Sequence, residues 1–243
     1  MIIRFILTSL FLFFTFTYSV AQYNDFGSWN SFSTETKLVK KLKLNIGVQL
    51  RLNENISQVK TLFTDIDVAY GILDNSKIFV SYRLGTKRQL EGYYLLSQRF
   101  SLGFSAKKQF NDWKFGYRFK VQQTNNSIES SDYGFDFSSG FRNKISLNRK
   151  LIKKTYGWST FELFSTRDID KVLYISDWRW KIGVDRKIKK RHYFSLGFMV
   201  QRELQSNDAI TDYIVLLGYE IKMKRRKKAK KNLYELELKS SQK

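Results

Sequence analysis

The sequence predicts an all-β protein: an antiparallel transmembrane β-barrel of about ten to twelve strands, preceded by a cleaved signal peptide. Three observations carry this. Along Leu42-Lys43-Leu44-Asn45-Ile46-Gly47-Val48-Gln49-Leu50-Arg51-Leu52 every second residue is a large aliphatic, with polar, charged or glycine residues between, and about ten later segments repeat the alternation. A strand throws successive side chains to opposite faces, so each segment has one oily and one wet face, and about eleven residues suit a tilted bilayer-crossing strand. Second, Arg51, Arg83, Arg99, Arg118, Arg142 and Arg179 stand on six separate segments, always on the polar face. Third, the chain has no proline; proline cannot donate to a ladder, so its absence fits a chain that is nearly all strand.

Period alone leaves open which face points outward, since a soluble lipocalin-like barrel has the same alternation with its oily face inside. Energy favours the membrane. An arginine facing lipid costs about 2–4 kcal/mol near the bilayer midplane, and six would together exceed the stability of a typical domain, about 5–15 kcal/mol. The arginines therefore line the lumen. Gly47, Gly71, Gly85, Gly103, Gly116, Gly140, Gly183, Gly197 and Gly218 share their face, as small residues do beside bulky ones on the concave wall of a narrow barrel.

Residues 1–21 form the first element. Met1-Ile2-Ile3-Arg4 leads into an apolar stretch from Phe5 to about Phe16, and Ser19-Val20-Ala21 before Gln22 has the small-x-small pattern of a signal-peptidase site. The stretch is short for a membrane anchor and lacks a stop-transfer flank. Residues 22–222 are read as the barrel and 223–243 as a basic tail.

By parity the strands fall near 26–38, 42–52, 60–73, 77–86, 93–107, 113–123, 133–148, 155–165, 173–188, 192–204 and 211–222. Tight connections around 39–41, 74–76, 111–112 and 189–191 alternate with longer polar ones around 53–58, 87–92, 124–132, 166–172 and 205–210, so the tight turns should be periplasmic and the long loops extracellular. Residues 149–154 should form another tight turn, although the segment is longer than the rest of its class. Eleven strands would force a parallel closure, whereas bacterial single-chain barrels use even numbers. Either 26–38 is not a wall strand, leaving ten, or Leu233-Tyr234-Glu235-Leu236-Glu237-Leu238 adds a twelfth. Tyr70, Tyr82, Tyr94, Trp113, Trp178, Trp180 and Tyr213 lie on the oily face, as in the aromatic girdles of membrane barrels.

On the lumen parity, Asp65, Asp67, Asp136, Asp177, Asp185 and Glu220 join the arginines. Opposite charges in a narrow barrel form a network that fills it, which predicts a structural or binding barrel with a charged, largely plugged lumen. Because lumen bases outnumber lumen acids, a narrow anion-leaning channel is the alternative. A third reading is an outer-membrane lipid-modifying enzyme. The only histidine, His192, and the nearest serine, Ser195, are an odd number of residues apart, so a regular strand puts them on opposite faces and no dyad forms. The carboxylate pairs Asp65 with Asp67 and Glu162 with Asp177 are explained equally by salt bridges. With no cysteine, disulfides, thiolate metal sites and a lipidated N-terminal cysteine are excluded. No zinc spacing, phosphate loop or serine-hydrolase elbow appears, so no cofactor is expected.

The formal charge is +21, much of it in a tail that contains Lys224, Arg225, Arg226, Lys227, Lys228, Lys230 and Lys231. Such a run either stops the last strand as a solvated tail or binds anionic head groups or a periplasmic polymer. A secreted chain seldom meets nucleic acid, which leaves outer-membrane lipids as the principal partner.

The runs Phe26-Gly27-Ser28-Trp29, Gln49-Leu50-Arg51, Ser81-Tyr82-Arg83-Leu84-Gly85, Gly116-Tyr117-Arg118, Phe141-Arg142-Asn143-Lys144-Ile145, Phe161-Glu162-Leu163-Phe164 and Arg179-Trp180-Lys181-Ile182-Gly183-Val184 together resemble the domain-of-unknown-function 2490 family. The resemblance covers nearly all of the chain after the signal. It implies a Bacteroidetes-type barrel in the outer membrane, without an assigned activity. The basic tail departs from a barrel that ends on an aromatic strand terminus, and Tyr219 is the internal substitute.

Overall fold

Period-two sequence becomes two-sided structure once each strand pairs on both edges, and here every strand does. The computed structural model describes residues 24–89, 92–127, 135–167, 173–204 and 210–223. Its elements are β1 (Asn24–Lys37), β2 (Leu42–Asn53), β3 (Gln58–Leu73), β4 (Ser76–Arg88), β5 (Tyr94–Phe110), β6 (Trp113–Ser127), β7 (Phe135–Ile152), β8 (Thr155–Arg167), β9 (Leu173–Lys189), β10 (His192–Glu203) and β11 (Thr211–Lys222). They close in sequence order into one barrel, each antiparallel to the next, and β1 closes against β11 in parallel. The signal-peptide segment, the basic tail and the 233–238 segment lie outside the described residues.

The wall therefore has eleven strands, and the expectation of an even number is overturned. The segment proposed as dispensable is β1 itself, paired with β2 from Ser28↔Leu52 to Lys37↔Lys43 and with β11 from Asn24↔Thr211 to Glu35↔Lys222. A parallel ladder is slightly weaker per residue than an antiparallel one, and the side chains behind this seam compensate. Trp29, Met199 and Ile214 are buried there as one cluster, with Leu216 packed against it. Trp29 and Leu216 face each other directly across the parallel pair. Fully burying a side chain of this size contributes about 1.5–3 kcal/mol.

Two-residue turns join β5 to β6 at Asn111-Asp112 and β7 to β8 at Lys153-Lys154. Asn111 and Lys154 take the left-handed conformation, φ 51° and 68°, which matches the twist of tight hairpins. The predicted 149–154 turn shrinks because Arg149 to Ile152 continue the ladder against β8. The β2–β3 connection, expected among the long ones, is only the four residues 54–57. Three consecutive positive φ angles at Glu54, Asn55 and Ile56 tighten it.

The oily faces point outward. Val80, Phe100, Leu102 and Ile145 are each more than half exposed, and similar residues recur on strand after strand. The inner face holds the glycines beside large rings. A Cβ on Gly103 would strike the Phe79 ring and the Phe119 carbonyl, and one on Gly183 or Gly197 would strike Trp158.

The seam can be tested covalently in a chain that has no cysteine of its own. A Cβ built on Gly218 lies 3.2 Å from Ser31 Oγ, close to the Cβ–Sγ separation across a disulfide. Ser31→Cys/Gly218→Cys should therefore oxidise to a single intramolecular bond, read as a reduction-sensitive gel shift; a ten-stranded wall without β1 would give none.

Candidate functional site

Inward-facing residues of consecutive strands stack into a cationic layer threaded with aromatic rings across the middle of the barrel. Arg51 Nε donates to Gln49 Oε1 (2.8 Å), and its guanidinium lies over Trp29 at 3.6 Å and Phe63 at 4.8 Å from the ring centroids. Arg83 makes a two-pronged pair with Asp65 at 2.7 and 2.8 Å while its guanidinium also lies over Phe63, 3.6 Å from the ring centroid. Arg179 Nε donates to Gln201 Oε1 (2.6 Å) and lies over Phe164 at 4.1 Å. Cation–π contacts of this kind strengthen when water is excluded, and the planar guanidinium can use its edge for hydrogen bonds and its face for a ring.

Glu162 is the centre of this layer. It is fully buried and pairs with Arg142, with Lys144 at 3.3 Å and with Lys181 at 3.7 Å. Cross-strand register explains the convergence: Glu162 on β8 stands opposite Lys144 on β7 and Arg179 on β9. One carboxylate thus neutralises part of the charge of several cations, and its own burial is tolerable only because they are present.

Of the residues expected on the lumen parity, Arg51, Asp65, Asp67, Arg83, Arg99, Arg118 and Arg142 all line internal cavities. Arg179 lines one as well. Asp177 accepts from Ser176 Oγ (2.6 Å) and Gln201 Nε2 (3.2 Å). The Asp136 side chain, on β7, and Lys224, Arg225, Arg226, Lys227, Lys228, Lys230 and Lys231 lie outside the described residues. Sequence reasoning missed Glu162 as the hub, and with it Lys120, Lys144 and Lys181 and the inward rings Trp29, Phe63, Phe79 and Phe164. Lys120, Lys144, Lys181 and Phe79 share a strand and a parity with one of the arginines, and Phe63 shares those of Asp65, a signal that could have found them; Glu162, Phe164 and Trp29 stand on strands that carry none of the six arginines.

Two of the internal cavities share a wall at mid-barrel. One of about 560 Å³ extends from mid-barrel towards the turns that join β5 to β6 and β7 to β8. Another of about 220 Å³ lies at the opposite end, beside Asp25, Lys60 and Asp212. Trp29, Arg51 and Arg83 wall both.

No hydrolytic dyad forms between His192 and Ser195. His192 Nδ1 shares a hydrogen bond with the Tyr219 hydroxyl (2.8 Å), whereas Ser195 Oγ donates inward to Asp185 Oδ1 (2.6 Å). Asp185 also accepts from Trp158 Nε1 (2.8 Å). Among the described residues no group of three or more metal-ligating side chains comes together.

A family described as "Protein of unknown function (DUF2490)" matches residues 26–211. The chain belongs to this family. The match begins in β1 and ends at the first residue of β11, so it spans β1 to β10 and stops short of the closing strand. Among solved structures the chain is similar to the β domain of the Bordetella autotransporter Brka, with 14% identity over 72% of this chain and 81% of that one and a TM-score of 0.41. No curated protein matches it.

Removing the charge of Glu162 leaves its cations without an anion. Glu162→Gln should lower stability by about 3–5 kcal/mol in denaturant titrations, and adding Lys181→Gln should restore part of the loss by removing one uncompensated charge.

Proposed function

We propose that this protein is an outer-membrane β-barrel that acts as a structural or binding barrel, its lumen closed at mid-height by the layer of arginines and rings. The observation that carries the location is the belt of exposed hydrophobic side chains. Soluble monomers rarely expose contiguous apolar patches beyond a few hundred Å², whereas here large aliphatics and rings are exposed on all eleven strands. A bilayer covers such a belt, the closed ladder satisfies the backbone within it, and the predicted signal peptide at residues 1–21 supplies the export route.

The plug reading is supported by Trp29 and Arg51, which stand between the two cavities and are held by Phe63, Gln49 and the seam cluster. The anion-leaning channel keeps one specific argument, the excess of inward cations over inward carboxylates. A lipid-modifying enzyme has none beyond the fold, because His192 and Ser195 engage different partners on different faces.

With tight turns in the periplasm, the end of β11 lies on the periplasmic side, where Lys40, Lys41, Lys153, Lys154, Lys190 and Arg191 occupy the turns. The basic tail that follows adds to their field, and together they would engage anionic head groups or a periplasmic polymer.

Reconstituted into planar bilayers, the wild-type chain should show no discrete conductance steps. Trp29→Ala/Arg51→Ala, which removes the shared wall, should produce them while the barrel still runs as a heat-modifiable band. A stable open level in the wild type contradicts the plug.

A further inference from the structure

Between β4 and β7 the wall places like charges directly opposite one another at three positions: Arg83 faces Arg99, Lys120 faces Arg142, and Arg118 faces Lys144. Like charges directly across a ladder are destabilising, and one such pair would ordinarily stand beside a compensating carboxylate. All six of these side chains instead line one internal cavity of about 180 Å³, together with Asp65, Asp67 and Gln122.

The acids present compensate only one member of each pair. Asp65 is engaged by both prongs of Arg83, and Glu162 serves Arg142 and Lys144 from the other side. Arg99 Nε donates to the Thr124 hydroxyl (2.8 Å) and Lys120 Nζ to the Ser81 hydroxyl (3.5 Å), both neutral. Arg118 lies 5.2 Å from the Phe79 ring centroid. Three cations thus surround the cavity with neutral partners.

The same cavity also offers acceptors. Asp67 is held by a single long hydrogen bond from Asn45 Nδ2 (3.4 Å), and the buried side-chain oxygen of Gln122 has no partner. A ligand that completes this lining must accept several charge-assisted hydrogen bonds from guanidinium and ammonium groups and donate at least one in return. Chloride and sulfate cannot donate. Hydrogen phosphate, free or as a monoester, does both.

The geometry points to this cavity as a binding site for a protonated phosphate group, with Arg99, Arg118 and Lys120 neutralising its oxygens and Asp67 accepting a hydrogen bond from its hydroxyl. The assignment rests on the binding-barrel reading above and gives that reading a ligand class. The site shares Arg83 and Arg99 with the smaller cavity and Arg83 and Arg118 with the larger one, so it adjoins both halves of the interior.

The test uses the full mature chain in zwitterionic detergent, with calorimetric titration by sodium phosphate, sulfate and chloride at matched ionic strength. Phosphate should bind at one site per chain and more tightly than sulfate by about tenfold or more, the margin expected for a hydrogen bond to a charged acceptor. Asp67→Asn should collapse that preference, Lys120→Gln should weaken phosphate by a similar factor, and Lys120→Arg should restore it. Glycerol 1-phosphate distinguishes the sources: binding as tight as phosphate assigns the site to a monoester head group, and binding confined to inorganic phosphate assigns it to the free ion. Equal responses to all three salts, or unchanged phosphate affinity in a folded Lys120→Gln barrel, would overturn the proposal. Conductance in a wild-type barrel that still selects phosphate contradicts the plug alone; a silent barrel without phosphate selectivity contradicts this site alone.

Discussion

The inward projection of six arginines is the constraint on which the rest of this barrel depends. Each lies on its own strand, Arg51 on β2 through Arg179 on β9, and none can be turned outward without turning the whole strand, because a one-residue slip moves every side chain to the other face. Once the guanidinium groups are inside, the aliphatic residues between them must be outside. The sidedness of the wall, its apolar belt and its crowded cationic interior are one decision made several times over.

That decision creates a problem of charge in a confined space, and the interior handles it in two ways. Rings take the faces of the cations: Phe63 meets Arg51 and Arg83, and Phe164 meets Arg142 and Arg179. Carboxylates take their edges, through Asp65 and Glu162. No carboxylate pairs with Arg99, Arg118 or Lys120, the last two of which have only the more distant Phe79 ring, and this is the region where a phosphate would complete the lining. The glycines make the rings possible, because a side chain at Gly85 or Gly103 would occupy the space of Phe63 or Phe79.

Sidedness was legible in the sequence because period and charge agree on nearly every strand. Three features were not. The parallel seam depends on which end each terminal strand starts from, and an even-number expectation borrowed from other barrels pointed away from β1, although Trp29 was already on the face that the seam cluster needs. On β8, rings fall on both faces, Trp158 and Phe164 inside and Phe161 outside, so the alternation blurs and Glu162 did not stand out as a buried hub. The like-charged pairs were hidden for a more general reason. Parity assigns a face, but only register says that Arg83 meets Arg99 or that Lys120 meets Arg142.

The location of the apolar face is open to direct measurement on β5, where Leu102 points outward, more than half exposed, and its neighbour Ser101 is buried inside. A single spin label at Leu102→Cys in vesicles reconstituted with the otherwise cysteine-free chain should relax with lipid-dissolved oxygen and be shielded from an aqueous nickel chelate. Strong relaxation by the chelate, with no response to oxygen beyond that of a water-exposed control, would place that face in water and contradict a barrel built around inward arginines in a bilayer.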